Sequence, residues 1–211
     1  MDAYDTIVTC DFSVLRRELP ILAGLSEDHW NDDYNRFSPL LNDGRMSKAT
    51  AFGEILRARG GEPRADLVRE MVKADHELLI ANSRLFDDTV PFLENLRARG
   101  VKIAIVSNCT ENTRPMLVGF GMDALTDALV LSCEVGAAKP AAEIFQHALD
   151  RLGVTADAAV FVDDQAGFCA GGVAVGISAV QIVRGELDGT ALAVGATMVR
   201  SLPEVEAMFV G

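Results

Sequence analysis

From about residue 90 onward, short apolar segments alternate with longer amphipathic segments, and this alternation constrains the fold more than any other feature of the chain. The apolar segments are 101–106, 128–131, 158–162 and one within 176–183. Strands that are apolar on both faces have to be covered on both faces, as in a parallel sheet between two layers of helices. The pattern therefore predicts a doubly wound parallel α/β domain.

A helical insertion is predicted between the first strand and the rest of the sheet. The first strand is expected at Thr6–Cys10, whereas residues 15–87 show helical spacing and no convincing strand. Ser47 is a plausible N-cap for a helix over 48–59, which Gly60 would end. We therefore expect an α/β core formed by residues 1–14 and 88–211, with a small all-helical cap over 15–87.

Composition excludes several classes of partner. Hydrophobic residues make up 49% of the 211 residues, which indicates a globular chain, and the formal net charge is −12. An acidic chain is not expected to bind nucleic acid or an anionic membrane. The four cysteines form no CxxC pair, and neither a signal peptide nor a membrane-length apolar run is visible. We expect a cytoplasmic protein with reduced thiols, either a monomer or a homodimer.

Polar side chains follow several of the apolar segments. Asp11 ends the first predicted strand, Ser107 and Asn108 follow 101–106, and Asp163 and Asp164 end 158–162. Ligands of doubly wound sheets bind beyond these strand ends. Carboxylates held close together need a cation, and oxygen ligands of this kind favour Mg²⁺. The sequence therefore predicts a magnesium site that contains Asp11.

The same residues could carry phosphoryl transfer. A carboxylate can attack phosphorus and form an aspartyl phosphate. Lys139, which follows the segment 134–138, could neutralise an incoming phosphate together with the metal ion. A serine hydroxyl such as that of Ser107 could donate a hydrogen bond to a transferring oxygen.

In this order the motifs resemble the four signature motifs of the haloacid dehalogenase-like hydrolase superfamily. They are Ile-Val-Thr-Cys-Asp ending at Asp11, Ile-Ala-Ile-Val-Ser-Asn ending at Asn108, Lys139 with Pro140, and Val-Phe-Val-Asp-Asp ending at Asp164. The resemblance covers nearly the whole chain. The predicted insertion looks like the small cap of the branch that contains sugar-phosphate phosphatases.

The resemblance implies a role for each matching residue. Asp11 would be the nucleophile and a Mg²⁺ ligand, and the main-chain carbonyl of Ser13 would be a second ligand. Asp163 and Asp164 would complete the metal site. The phosphate would be held by Ser107 and paired with Lys139. Asn108 and Arg16 are further candidates for contact with the substrate.

Two departures from the family pattern bear on the rate. The family's phosphatases usually have a second aspartate two residues after the nucleophile, where this reading places Ser13, and Phe168 replaces a usual asparagine after Asp164. A serine hydroxyl cannot replace a carboxylate in acid–base work that is typically worth about 10²–10⁴-fold. The sequence thus predicts a slow Mg²⁺-dependent phosphatase that hydrolyses a small phosphorylated metabolite through an aspartyl phosphate.

Three other functions remain open. A phosphotransferase would deliver the phosphoryl group to an acceptor other than water, and the missing acid–base residue disfavours it. A non-catalytic binding or regulatory protein would account for both departures. A haloacid dehalogenase would use the same nucleophile on carbon without a metal, and the pair Asp163 and Asp164 disfavours it.

Overall fold

A computed structural model describes residues 1–185 and 192–208. The strands are β1 (Val8–Cys10), β2 (Ser83–Leu85), β3 (Ala104–Ser107), β4 (Ala128–Leu131), β5 (Val160–Asp163), β6 (Ser178–Ile182) and β7 (Ala196–Val199). The helices are α1 (Phe12–Ala23), α2 (Glu27–Asn42), α3 (Lys48–Ala58), α4 (Ala65–Ala81), α5 (Thr89–Ala98), α6 (Thr113–Gly119), α7 (Met122–Leu125), α8 (Ser132–Val135), α9 (Ala142–Leu152), α10 (Ala166–Ala174) and α11 (Leu202–Ala207).

The core is a parallel sheet whose centre is formed by the first two residues of the chain. β3 pairs with β4, and β5 pairs with β6 and β6 with β7, all in parallel. The Met1 amino group donates to the Ala104 carbonyl at 2.8 Å, and the Val106 amide donates to the Met1 carbonyl at 2.8 Å. On the other side, the Asp2 amide donates to the Val162 carbonyl at 2.8 Å. These bonds follow a parallel ladder, so residues 1 and 2 connect β3 to β5.

Apolar side chains on both faces of the sheet explain its two helical layers. Successive residues of a strand point to opposite faces. Ile105 and Leu131 accordingly pack in one hydrophobic cluster with α5, whereas Val106 and Val130 pack in a second cluster with α9. Both clusters are buried, and this two-sided burial confirms the predicted α/β class.

The predicted first strand of the parallel sheet is wrong. β1 pairs with β2 in antiparallel register, Val8 opposite Leu85 and Cys10 opposite Ser83. The chain turns back after residue 2, where Asp5 adopts φ 53° and the amides of Ile7 and Val8 both donate to the Ala3 carbonyl. An apolar segment next to a turn was thus mistaken for a sheet strand. The segment 134–138 likewise forms part of α8 and a turn, with no strand.

The helices α1 to α4 follow this turn, and the ribbon of β1 and β2 frames them. Ser47 is the N-cap of α3, where its hydroxyl accepts a hydrogen bond from the Thr50 amide at 3.2 Å. At Gly44, φ is 72°, and a Cβ atom would collide with the Cys133 carbonyl of the core, so only glycine fits this contact. The division of the chain at residues 14/15 and 87/88 stays a prediction. Across 1–185 and 192–208, no helix is both long and apolar enough to cross a bilayer.

A buried ion pair ties the helical segment together and to the core. The Lys48 ammonium in α3 contacts the Asp75 carboxylate in α4 at 2.5 Å, and both side chains are at most 3% exposed. The Asn112 amide, just before α6, donates to the same Asp75 oxygen at 2.6 Å. One carboxylate therefore links two helices of the insertion to the core.

Removing Asp75 is expected to destabilise the protein strongly. The substitution Asp75→Ala leaves the Lys48 ammonium buried without its partner, which typically costs roughly 3–5 kcal/mol. Urea unfolding would measure this loss. As a control, Glu77→Ala removes an exposed pair with Lys73 and should change stability very little. The double variant Lys48→Met/Asp75→Leu should recover most of the loss. Equal, small effects of Asp75→Ala and Glu77→Ala would contradict the role of the pair.

Candidate active site

Three carboxylates meet at the carboxyl end of the central strands. Oxygen atoms of Asp2, Asp163 and Asp164 lie within 4.8 Å of one another. Asp2 is held there by the bonds of residues 1 and 2 to β3 and β5, and Asp163 is the last residue of β5. Parallel strands end at one edge, so residues from distant parts of the chain converge at this point.

Lys139 lies between two of these carboxylates. Its Nζ is 2.7 Å from Asp2 Oδ1 and 2.6 Å from Asp163 Oδ2, and its side chain is fully buried. The Phe168 ring lies 4.8 Å from the same nitrogen, which places a cation–π partner at the position of the family departure. Burial opposes the charged form, but Asp2 and Asp163 outweigh it, so the pKa of Lys139 is raised. Lys139 is therefore a permanent cation in the site.

Asn108 fixes the backbone of Lys139. Its side-chain amide donates to the Lys139 carbonyl at 2.8 Å, and its Oδ1 accepts from the Lys139 amide at 2.7 Å. Both polar ends of the Asn108 side chain are thus engaged by one peptide unit. Asn108, predicted as a substrate-binding residue, is engaged in the structure in holding Lys139 in place.

The carboxylates carry more negative charge than one lysine neutralises. Burial, and then the neighbouring Asp2, raise the pKa of Asp163 to about 6. Burial, followed by Asp163 and Asp2, raises the pKa of Asp164 to about 7. Within the described residues, Asp164 Oδ1 is buried without a hydrogen-bond partner. Clustered oxygen donors with one uncompensated buried oxygen fit a hard divalent cation such as Mg²⁺, which these three carboxylates would hold.

Ser107 is the last residue of β3. Its residue is fully buried, and in the described part of the chain no group forms a hydrogen bond with its hydroxyl. A buried hydroxyl without a partner is costly unless a ligand completes it. Ser107 is therefore free to donate to a bound anion.

The structure does not bring Asp11 and Ser13 to the carboxylate cluster, and this corrects the predicted site. Asp11 is exposed and caps α1, where its Oδ1 accepts from the Ser13 amide at 3.0 Å and from the Ser13 hydroxyl. These hydrogen bonds lower the pKa of Asp11. The reason is the turn after residue 2, which places Asp2 at the strand end and leads Asp11 away into the first helix.

A cleft of about 540 Å³ opens from the cluster toward the helical insertion. Asp2, Lys139 and Arg16 of α1 line this cleft, and the predicted contact of Arg16 with substrate stays a prediction. One face of α2 adds uncharged hydrogen-bonding side chains at helical spacing. They are Asn31, Asn35, Ser38 and Asn42. The cleft therefore combines a charged floor with a polar, largely neutral roof.

Sequence reasoning missed Asp2 and its neighbours. The pattern of a carboxylate that ends an apolar strand does not identify Asp2, because Met1 is the residue in front of it. Tyr4 and Asp5 come shortly after Asp2 in the chain, and both line the cleft. The Tyr4 hydroxyl lies 3.0 Å from the Thr113 hydroxyl, and burial raises its pKa. Partial burial and the nearby Asp2 raise the pKa of Asp5.

The parallel fold, with carboxylates at one edge of its sheet, is compared next with known families of hydrolases. The family model of haloacid dehalogenase-like hydrolases matches residues 1–176. The chain therefore belongs to the haloacid dehalogenase-like hydrolase family, which confirms the predicted resemblance.

Individual relatives agree with this membership. The chain is 31% identical over 147 residues to a glyceraldehyde 3-phosphate phosphatase of Methanopyrus kandleri, covering 69% of this chain and 63% of that protein. It is 34% identical over 116 residues to a beta-phosphoglucomutase of Mycobacterium bovis, covering 53% and 42%. The chain thus spans less than two thirds of the length of these curated relatives.

Solved structures share the fold. A HAD phosphatase from Thermococcus onnurineus has 25% identity and a TM-score of 0.68, with 100% of this chain and 96% of that chain covered. An L-2-haloacid dehalogenase from Xanthobacter autotrophicus has 17% identity and the same TM-score and coverage. The second likeness concerns the fold alone.

Replacing Asp164 should raise the stability of the metal-free protein and weaken cation binding. Without a metal ion, Asp164→Asn relieves repulsion among three carboxylates, and Tm is expected to rise, at about 2–4 °C for each kcal/mol gained. The raised pKa of Asp164 opposes folding once the carboxyl is ionised. The gain should therefore be largest at pH 8 and fade as the pH falls toward the ordinary value of 3.8.

The same variant should lose stabilisation by Mg²⁺, which melting curves in chelator and in Mg²⁺ would measure. Asp157→Asn, a change at an exposed carboxylate outside the cluster, is the matched control and should behave like the unmodified chain. A Tm of the unmodified chain that does not respond to Mg²⁺ would contradict the cation site.

Proposed function

We propose that the protein is a Mg²⁺-dependent phosphatase that hydrolyses a small phosphorylated metabolite through an aspartyl phosphate on Asp2. The observation that carries the proposal is the convergence of Asp2, Asp163 and Asp164. Lys139 contacts Asp2 and Asp163, and Asp2 and Lys139 line a cleft. A metal-free dehalogenase has no use for such a cluster of carboxylates, whereas a phosphate dianion needs cations beside an anionic nucleophile.

Each residue of the floor has a part in the reaction. An oxygen of Asp2 attacks phosphorus, and the bond to the leaving oxygen breaks with its electron pair. Lys139 neutralises the nucleophile and the arriving phosphate, and the Ser107 hydroxyl donates to a phosphate oxygen. A bound Mg²⁺ would supply further positive charge for the phosphate oxygens. Water then attacks phosphorus and restores the Asp2 carboxylate, releasing inorganic phosphate.

The leaving oxygen needs a proton, and Asp5 is the candidate donor. With Asp2 as nucleophile, the family's second aspartate corresponds to Tyr4 and no longer to Ser13, and the raised pKa of Tyr4 makes it a poor acid. Asp5 lines the same cleft, and its raised pKa moves it toward the range in which a carboxyl both gives and takes a proton.

The cleft supports a neutral, hydroxylated substrate body. Asn31, Asn35, Ser38 and Asn42 offer both donors and acceptors, which suit sugar or polyol hydroxyls better than carboxylates. Glyceraldehyde 3-phosphate phosphatases and beta-phosphoglucomutases among the relatives act on substrates of this kind by name. Arg16 is the exposed cation available to a second anionic group.

The deciding comparison is between two aspartates. Asp2→Asn removes the nucleophile and should lower hydrolysis of p-nitrophenyl phosphate in Mg²⁺ by at least about 10³-fold. Asp11→Asn changes an exposed helix cap and should keep activity within about twofold of the unmodified chain. Circular dichroism would establish that both variants fold. Loss of activity in Asp11→Asn with retention in Asp2→Asn would overturn the assignment. Silence of the unmodified chain across phosphorylated sugars and polyols, with Mg²⁺ still bound, would favour the non-catalytic alternative.

Asp5 is expected to act as the acid and base. Asp5→Asn retains a residue that tolerates positive φ, so the turn should persist. Its kcat on a sugar phosphate should fall about 10²-fold or more. Activity on p-nitrophenyl phosphate should fall less, because that leaving group needs no proton. Tyr4→Phe is the control and should leave both rates nearly unchanged. Equal loss on both substrates in Asp5→Asn would argue against proton transfer by this residue.

A further inference from the structure

Two cysteines lie side by side just beyond the carboxyl ends of β3 and β4. These strands pair in parallel, with Ser107 opposite Leu131. Two residues beyond Ser107, the Cys109 amide donates to the Ser132 hydroxyl at 2.9 Å, and this hydroxyl donates to the Cys109 carbonyl at 3.3 Å. Cys133 follows Ser132 directly. The segments after the two strands therefore stay adjacent and bring Cys109 and Cys133 together.

The two thiols contact each other, and they differ in acidity. A hydrogen bond from the Cys109 thiol lowers the pKa of Cys133, although burial opposes this. The same hydrogen bond, and then burial, raise the pKa of Cys109. The carboxylate of Glu134, next to Cys133 in the chain, is paired with the Arg114 guanidinium. Cys133 is therefore the sulfur of the pair that more readily supplies a thiolate, which is the reactive form of cysteine.

The two thiols also differ in access. Cys133 is partly exposed, whereas Cys109 is only 4% exposed. Cys133 borders a cavity of about 100 Å³, which the N-cap residue Ser47 of α3 and Glu111 of the core line as well. Several water molecules fit in such a volume, so a molecule as small as hydrogen peroxide does too. A small oxidant can thus reach Cys133, while Cys109 waits behind it.

The other two cysteines lack this combination of features. Burial raises the pKa of Cys10, and burial raises the pKa of Cys169 to about 12. The Cys169 thiol donates to the carbonyls of Asp163 and Val180 instead of to another sulfur. An oxidant should therefore react at the pair before it reacts at either of these thiols.

We propose that Cys109 and Cys133 form a modification site at which a peroxide converts two thiols into an intramolecular disulfide. In the first step the Cys133 thiolate attacks one peroxide oxygen and the O–O bond breaks. Cys133 becomes a sulfenic acid, and the departing hydroxide takes up the proton that Cys133 had released. In the second step the Cys109 sulfur attacks the Cys133 sulfur, the S–O bond breaks, and the hydroxyl leaves with the Cys109 proton as water. Two thiols are oxidised, and one peroxide is reduced to two water molecules.

The disulfide would act on the neighbouring cleft. Cys109 directly follows Asn108, whose side chain holds the peptide of Lys139. A disulfide brings its sulfur atoms to about 2.05 Å, much closer than two thiols that share a hydrogen bond. The Cys133 carbonyl packs closely against Gly44, so the movement should fall mainly on Cys109 and Asn108. This consequence rests on the proposed phosphatase activity, whereas the disulfide itself does not.

The test treats the whole reduced chain with equimolar hydrogen peroxide and follows its intact mass and its peptide map. The expected product has lost two hydrogen atoms, carries a link between Cys109 and Cys133, and returns to the thiols in dithiothreitol. Both thiols should disappear at least about tenfold faster than that of Cys10. A link that involves another cysteine, or oxidation without any link, would overturn the proposal.

Three variants separate the two steps. In Cys109→Ser the new hydroxyl can still donate to Cys133 but cannot form a disulfide, so Cys133 should gain one oxygen atom and react with dimedone. Cys133→Ser should lose both the link and the fast reaction, because Cys109 then stays buried and alone. Cys10→Ser is the matched control and should behave like the unmodified chain. Fast oxidation of Cys109 in Cys133→Ser would contradict the order of the steps. The peptide map of the unmodified chain decides the proposal even where a variant does not fold.

Hydrolysis of p-nitrophenyl phosphate in Mg²⁺ tests the link to the cleft. Oxidation should lower kcat by at least about tenfold through displacement of Asn108 and Lys139, and dithiothreitol should restore it. An unchanged kcat in the fully linked protein would overturn this coupling and leave the disulfide supported by the mass data. Absence of activity in both the reduced and the linked form would count against the phosphatase, and the peptide map would still decide the disulfide.

Discussion

The rest of the site depends on the ion pairs that the Lys139 ammonium forms with Asp2 and Asp163. Asp2 and Asp163 contact it at 2.7 and 2.6 Å, and all three side chains are almost completely buried. Without this cation, three carboxylates from opposite ends of the chain could not share one strand edge, because burial and mutual repulsion would drive them to protonate. Burial, and then the neighbouring carboxylates, raise the pKa of Asp163 and of Asp164, so one lysine only partly offsets the cost of charging them.

The remaining architecture can be understood as support for this cation. Asn108 holds the peptide of Lys139 from two sides, and the ring of Phe168 covers its ammonium. The insertion closes over the same region, and its own buried pair of Lys48 and Asp75 fastens it to the core through Asn112. In both places a buried lysine is paired with carboxylate and hydrogen-bonded, which is the condition under which buried charge is tolerated.

The carboxylate cluster lies within the part of the chain that the family model matches. The family model covers residues 1–176, so membership does not depend on any single motif. The uncharged polar face of α2 gives the cleft a chemical preference that the floor does not have. Under the proposed function, α2 would supply specificity and the edge of the sheet would supply the chemistry.

The sequence by itself determined the α/β class, and it predicted that Lys139, Asp163 and Asp164 meet at one edge of the sheet, where the structure places them. The helical insertion and the roles of Ser107, Lys139, Asp163 and Asp164 stay predictions. These features depend on local patterns, namely apolar strands, helix caps and polar strand ends, which the chain expresses within a few residues. Only the tertiary structure decided which aspartate joins them. Asp11 follows an apolar segment and Asp2 follows a single residue, so local pattern favoured the wrong one. The choice depends on a turn with positive φ at Asp5 and on pairing of Met1 with strands more than 100 residues away, and contacts of that range leave no local pattern in the chain.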